Sequence, residues 1–202
     1  MKKFIAMAML ALVGVACSNN EQSEEARAEQ FQKNLNKEFS DAKSSPLPKD
    51  ALKKFKSLDY FPISEDFVIE GTLVRTPDEQ PFEMPTTTHR KPVYVKYGEI
   101  NFSLNNKNFK LDVFQDVALR EKKEYAKHLF LPFTDLTSGV TSYGGGRYID
   151  LQIPEGDKII INFNLAYNPY CVYNPKFSCP IPPEQNFIEA DINAGVKDYK
   201  YE

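Results

Sequence analysis

Apolar and polar residues alternate strictly over residues 100–104 and again over residues 109–113. Alternation places every second side chain on one face of a β-strand. The asparagine-rich stretch 105–108 between the two runs favours a tight turn. The pattern therefore predicts a β-hairpin with one buried face.

Other β-rich runs extend the predicted sheet. Residues 147–153 and 158–164 flank a turn that contains proline and glycine, and they predict a second hairpin. Residues 67–74 and 187–192 each predict one strand, whereas the proline-containing stretch 77–90 predicts a loop with at most a short edge strand. Short strands without repeating helices between them predict a mainly β fold, either an antiparallel β-sandwich or a partly closed barrel.

Helical spacing precedes the strands. Phe31, Leu35 and Phe39 recur every four residues, which places them on one face of a helix over residues 27–39. Prolines then break the pattern, and residues 49–58 predict a second short helix. We therefore expect one or two helices on the N-terminal side of the β-rich domain.

The N-terminus has the order of a bacterial lipoprotein signal. Lys2 and Lys3 precede an apolar run over residues 4–15 that is too short for a transmembrane helix, and small residues then lead to Cys17. In signals of this type the cysteine is lipidated and becomes the first residue of the mature protein. A plain secretory signal is the alternative.

These patterns divide the chain into four parts. We expect a lipoprotein signal peptide over residues 1–16, a lipidated polar tether over 17–29, a helical segment over 30–58 and a β-rich domain over 59–202. The lipid anchor makes the membrane one expected partner. It also predicts a place in the bacterial cell envelope, at the outer membrane on its periplasmic or surface side.

Charge and cysteine content narrow the expected partners. Removal of Lys2 and Lys3 with the signal lowers the formal charge from −3 to −5, which argues against nucleic acid as a partner. Two thiols in an oxidising compartment most simply form a disulfide. Cys171 and Cys179 therefore predict a structural bridge that stabilises the fold by about 2.5 kcal/mol. The alternative is a redox dithiol, although the spacing differs from Cys-x-x-Cys.

The segment from residue 131 to residue 197 is dense in residues that a plain β-scaffold does not require. Its stretches are LPFTDLTSG (131–139), TSYGGGRY (141–148), NFNLAYNPYC (162–171), SCPIPPEQN (178–186) and AGVK (194–197). Together they resemble the domain-of-unknown-function family DUF1684, which comprises bacterial secreted and lipid-anchored proteins, and the resemblance covers about 45–198. The family's activity is unassigned, so the resemblance implies no reaction. The family pattern often has aspartate where this chain has Asn162, so a catalytic carboxylate at that position would be lost here.

Polar residues of this segment supply the candidate site. A glycine-rich turn beside Arg147 can seat a carboxylate or a phosphate, and Asp135 suits an Asx-type turn. Tyrosine rings and asparagine amides nearby suit a polar ligand. The structural alternatives are a clip in which Arg147 pairs with Asp135 and a loop packed by its tyrosines. The candidate ligand-binding residues are Asp135, Thr137, Tyr143, Gly144, Gly145, Gly146, Arg147, Asn164, Tyr167, Asn168, Tyr170 and Asn186.

No complete reactive set is present in the sequence. His89 and His128 are the only histidines, and neither a metal-ligand cluster nor a Gly-x-Ser-x-Gly motif accompanies them, so we expect no metal and no cofactor. His128 fits a residue at the edge of the core. The leading hypothesis is a non-enzymatic binding domain for a glycan, a peptide or an envelope protein. The alternatives are a hydrolase of envelope glycans or esters that uses Asp135 and Arg147, and a passive structural lipoprotein.

Overall fold

The computed structural model describes residues 22–200, so the predicted signal peptide and Cys17 lie outside the described residues. The elements in chain order are α1 (Glu24–Ser40), α2 (Lys49–Lys54), β1 (Val68–Arg75), β2 (Phe82–Glu83), β3 (Val93–Leu104), β4 (Lys107–Asp116), β5 (His128–Asp135), β6 (Arg147–Gln152), β7 (Lys158–Asn162) and β8 (Phe187–Ile188). Between them lie several single turns of 3-10 helix.

The strands form one curled sheet with the order β6-β5-β4-β3-β1-β7. Neighbours along this path are antiparallel; β2 adds to β3, and β8 pairs in parallel with β5. The result is a half-barrel with two helices on its N-terminal side. The predicted mainly β fold is therefore confirmed, in its partly closed barrel form.

Two asparagines fix the turn between β3 and β4. Asn105 and Asn106 have φ angles of 50° and 60°, and both central residues of a type I′ turn need such positive values. Asparagine tolerates this region because its short polar side chain can bond to the nearby backbone. Leu104 pairs directly with Lys107, so the hairpin predicted from the alternating pattern is confirmed.

The predicted second hairpin is wrong in its pairing. Strand β6 pairs with β5 and strand β7 pairs with β1, so the two lie at opposite ends of the strand order. Residues 153–157 connect the two strands. Beyond β7, Tyr167 pairs with Tyr148 of β6 through backbone hydrogen bonds of 2.9 and 3.0 Å. Long-range pairing with β1 and β5 thus overrides the local turn.

Helix α1 begins earlier than the expected tether allows. The Ser23 hydroxyl caps the helix by accepting a hydrogen bond of 3.2 Å from its first turn, where acidic residues favour the helix dipole. Ala28 is fully buried. The structure corrects the tether expected over 17–29, because residues 24–29 belong to a docked helix.

Both faces of the sheet are covered. Leu129 and Leu131 of β5 lie in the main core, whereas Phe130 between them packs on the opposite face. That face carries an aromatic cluster, against which Tyr167 packs; its members are Met84, Tyr94, Phe114, Phe130 and Tyr148. Among residues 22–200, no helix has the length and apolar character needed to cross a membrane.

Candidate functional site

The predicted site around Arg147 is enclosed in the core. The Arg147 side chain is 0% exposed, and its Nη2 donates to Asp135 Oδ2 and to the Ile192 carbonyl, both at 2.9 Å. Its Nη1 donates to the Ala194 carbonyl. Asp135 in turn accepts the Thr137 N–H at 2.8 Å. These contacts fasten the C-terminal segment to the ends of β5 and β6.

The electrostatics of this pair agree with a structural role. Burial lowers the pKa of Arg147, and the adjacent Asp135 carboxylate opposes that shift. A buried charge pair holds the fold in one arrangement, because removal of either partner leaves the other charge unpaired. Of the two interpretations left open by the sequence, the geometry favours the clip.

In the glycine-rich turn, the backbone conformation requires glycine at position 146. Gly146 is buried with a φ of 88°, and a Cβ atom there would lie 2.5 Å from the Phe133 carbonyl oxygen. Gly144 and Gly145 are exposed. Tyr143 is half-buried and packs with the cluster that holds α1. The turn therefore shapes the path of the chain into β6.

The predicted asparagines are also enclosed. Asn164 both donates to and accepts from the backbone of Ser64, at 2.9 and 3.0 Å. Asn186 does the same with the backbone of Asp112, at 2.8 Å each. Asn168 donates to a backbone carbonyl at 2.8 Å. Since each side chain is at most 1% exposed, these amides replace backbone partners that irregular segments lack.

The contacts of Asn162 explain why an amide suits this chain at a position where the family pattern often has aspartate. Its Nδ2 donates to the backbone carbonyl of Glu24 at 3.0 Å and to the Glu24 carboxylate at 2.9 Å. An aspartate would bring a second carboxylate against Glu24. Asn162 thus docks the start of α1 onto the end of β7.

The exposed polar group of this region is Asp150, in the middle of β6. Its Oδ1 lies 2.9 Å from His128 Nε2, and its Oδ2 accepts the Tyr167 hydroxyl at 2.9 Å. The Asp150 side chain is 49% exposed. Neighbouring elements of the barrel therefore fix the orientation of this carboxylate, while part of it stays open to solvent. We call these three residues the Asp150 chain.

A groove runs between helix α1 and the Asp150 chain. Its volume is about 280 Å³, near the lower limit of small-molecule sites. The residues that line this α1–β6 groove are Gln22, Arg27, Gln30, Phe31, Asn34, Asp150, Leu165 and Tyr167. The Phe31 ring lies 6.3 Å from that of Tyr167, and Gln30 Nε2 donates to Asn34 Oδ1 at 2.8 Å.

Two tyrosines that contact helix α1 remain hydrogen-bond donors. Burial and then the nearby Asp150 carboxylate raise the pKa of Tyr167 well above its usual value. Burial and a hydrogen bond to Glu38 raise the pKa of Tyr170. Because both hydroxyls stay protonated at neutral pH, Tyr167 holds Asp150 as an acceptor for further donors.

Sequence reasoning found Tyr167 and Tyr170 but missed the partners that make a groove. Arg27, Phe31 and Asn34 share one helix face at a spacing of three to four residues, which was the available signal. Nothing in the sequence showed that this face lies against β6.

Three carboxylates of the β-rich domain lie apart. Asp135 is enclosed, Asp150 lines the α1–β6 groove, and Glu184 lines a separate cleft of about 520 Å³ beside Phe82 and Phe114. Within residues 22–200, no group of three or more His, Cys, Asp or Glu side chains could hold a metal ion.

Comparison with known proteins identifies one matching family and a similar solved structure. The model of the family described as a protein of unknown function, DUF1684, matches residues 53–197. The chain belongs to the DUF1684 family. The solution NMR structure of an uncharacterized protein of Haloarcula marismortui is similar to it, with 32% identity and a TM-score of 0.67. That similarity covers 86% of this chain and 93% of the other. No curated protein matches the chain.

The residues matched by the DUF1684 family model do not include helix α1. The match contains the Arg147 clip and the whole Asp150 chain, but it begins after α1. The wall of the groove formed by Arg27, Phe31 and Asn34 therefore lies outside the matched residues.

Proposed function

We propose that this DUF1684 protein is a lipid-anchored protein of the bacterial cell envelope whose β-domain binds a polar ligand in the α1–β6 groove. The observation that carries the proposal is the Asp150 chain. A carboxylate held by two hydrogen bonds and half open to solvent is a preorganised acceptor, and an aromatic ring lies beside it.

The lining of the groove favours an uncharged polyhydroxyl ligand, such as one unit of a glycan. Hydroxyl groups can donate to Asp150, and the amides of Gln30 and Asn34 can both donate and accept. The C–H face of a sugar can pack on Phe31. Arg27 also lines the groove, and its guanidinium is already paired with the Glu24 carboxylate at 3.2 Å.

The anchor proposed at Cys17 supports an envelope ligand. Five residues lie between Cys17 and the cap residue Ser23, so the six steps along the chain span at most about 20 Å when fully extended. The groove begins at Gln22, so its near end would lie close to the membrane surface. Replacement of Cys17 by serine is expected to move the protein from the membrane fraction to the soluble fraction.

The binding test compares two isosteric variants. Asp150→Asn keeps the size of the side chain but removes the charged acceptor, and a hydrogen bond to a charged group contributes about 1.5–3 kcal/mol. We therefore expect roughly tenfold or greater loss of affinity for short envelope oligosaccharides, measured by titration calorimetry or NMR shifts.

Asp78→Asn is the matched control, since Asp78 is an exposed aspartate in the loop after β1. It makes the same change in charge and is expected to bind like the wild type. Equal affinity of the Asp150→Asn and Asp78→Asn variants would contradict the groove as the binding site. Absence of binding by the wild-type protein would contradict a glycan ligand.

A further inference from the structure

Cys171 and Cys179 form an asymmetric pair of thiols. The Cys171 N–H donates to Cys179 Sγ at 3.2 Å, which places the two cysteines in contact. Cys179 is 6% exposed, whereas Cys171 is partly exposed. A reagent in solution therefore reaches Cys171 more readily than Cys179.

The buried cysteine is fixed by the neighbouring loop. The Thr87 N–H donates to the Cys179 carbonyl at 2.9 Å, and the Cys179 N–H donates to Thr87 Oγ1 at 3.2 Å. Cys171 lies in a separate short turn, which begins at Tyr170. The two thiols thus belong to segments that meet in space but are held by different partners.

The contact also prepares Cys171 for reaction. The interaction with Cys179 lowers the pKa of the Cys171 thiol below its ordinary value. The same contact and then burial raise the pKa of Cys179. Since the thiolate is the nucleophile in disulfide exchange, the exposed sulfur is also the reactive one.

We propose that Cys171 is the thiol at which an external disulfide exchanges with this protein, and that Cys179 is the resolving thiol. The external reagent is a small-molecule disulfide or the disulfide of a thiol oxidoreductase. This site is separate from the α1–β6 groove, and the proposal does not depend on ligand binding there.

The exchange has two balanced steps. The Cys171 thiolate attacks one sulfur of the reagent, so a mixed disulfide forms and the other reagent sulfur leaves as a thiolate that takes up a proton. Cys179 then gives its proton to solvent and attacks Cys171 Sγ, which releases the second reagent thiol. Two protein thiols are oxidised to one disulfide, and one reagent disulfide is reduced to two thiols.

The test uses the full chain with Cys17→Ser, so that only this pair can react. The reduced protein is mixed with oxidised glutathione under native conditions and followed by mass spectrometry. The chain that keeps both cysteines is expected to pass through a transient adduct and end as an intramolecular disulfide. Added Cys179→Ser is expected to trap a stable one-to-one adduct at Cys171.

Added Cys171→Ser is expected to form its adduct at least tenfold more slowly, because Cys179 is buried. Reaction of the two variants in denaturant serves as the control, and their rates there are expected to be similar. Equal native rates, or a faster adduct at Cys179, would overturn the assignment. A stable adduct in the protein with both cysteines would overturn the resolving role.

Discussion

Strands β5 and β6 carry two acid-centred hydrogen-bond networks, one near each end of their pairing. At one end Asp135 holds Arg147, and the two side chains are 1% and 0% exposed. At the other end Asp150 holds His128 and Tyr167, and the Asp150 side chain is 49% exposed. The two aspartates thus have different roles, because the C-terminal segment encloses the Asp135 network whereas the Asp150 network faces a groove.

The comparison separates polar residues that stabilise the fold from polar residues that can bind a ligand. The closed network uses its hydrogen bonds on β5 and the C-terminal segment, so it has little to offer a ligand. The open network leaves part of a carboxylate in solvent. Stability should therefore depend on the first network, and ligand binding should depend on the second.

Arg147→Ala is expected to have the largest effect. The substitution leaves the Asp135 carboxylate buried and unpaired, which costs about 3–5 kcal/mol of unfolding free energy. Urea unfolding at pH 7 measures the loss. Asp150→Asn in the same assay is expected to change the free energy by less than about 1 kcal/mol, because it removes a half-exposed charge.

The double variant Asp135→Leu with Arg147→Met separates charge from packing. Removal of both charges leaves neither partner uncompensated, so part of the lost stability should return. If Arg147→Ala destabilises the protein no more than Asp150→Asn does, the distinction between a closed and an open network fails.

Asn162→Asp tests the closed contacts that hold α1. The new carboxylate would meet the Glu24 carboxylate in place of a 2.9 Å hydrogen bond, and Asn162 is 1% exposed. Loss of a buried hydrogen bond of this kind costs about 1–3 kcal/mol. We expect that decrease in urea unfolding, together with faster proteolysis within α1.

Removal of a charge in helix α1 tests whether repulsion from Glu24 causes the lower stability of Asn162→Asp. Glu24→Gln added to Asn162→Asp removes the repulsion and should recover part of the stability. Glu25→Gln is the matched control, one residue away in the same first turn, and it should recover none. Equal recovery by both would mean that total charge, and not this contact, governs the docking of α1.

Local patterns were sufficient for the parts of the fold that depend on neighbours in sequence. The β3–β4 hairpin follows from alternation and from Asn105 and Asn106, which accept positive φ. The strands β6 and β7 were also predicted, but their predicted pairing with each other is wrong. Their partners are β5 and β1, and the choice of partners depends on how the whole sheet curls.

The candidate site shows the same limit more strongly. The Asp135–Arg147 pair was foreseen as the structural alternative to a ligand site. Asp150 could not be placed, because its partners lie 22 residues before it and 17 residues after it. The position of helix α1 was even harder to predict, because the contact between Asn162 and Glu24 joins residues 138 positions apart in sequence.

Tyr167→Phe is expected to have a smaller effect on stability than Arg147→Ala or Asn162→Asp, and its sign depends on pH. At pH 7 the variant loses one hydrogen bond to Asp150, which costs about 1 kcal/mol. Burial and Asp150 raise the pKa of Tyr167 in the folded protein, so above pH 10 the unfolded chain loses this proton while the folded chain keeps it. Stability therefore falls as the pH rises, by at most about 1.4 kcal/mol per pH unit for this one group. Phenylalanine has no proton to lose, so the unfolding free energy of the variant should approach and then exceed that of the wild type in alkaline urea unfolding.

Tyr125→Phe, at an exposed tyrosine next to His128, is the matched control, and its unfolding free energy should keep a constant difference from that of the wild type. A constant difference for Tyr167→Phe as well would mean that the Tyr167 hydroxyl is open to solvent, and the order of the Asp150 chain would then need revision.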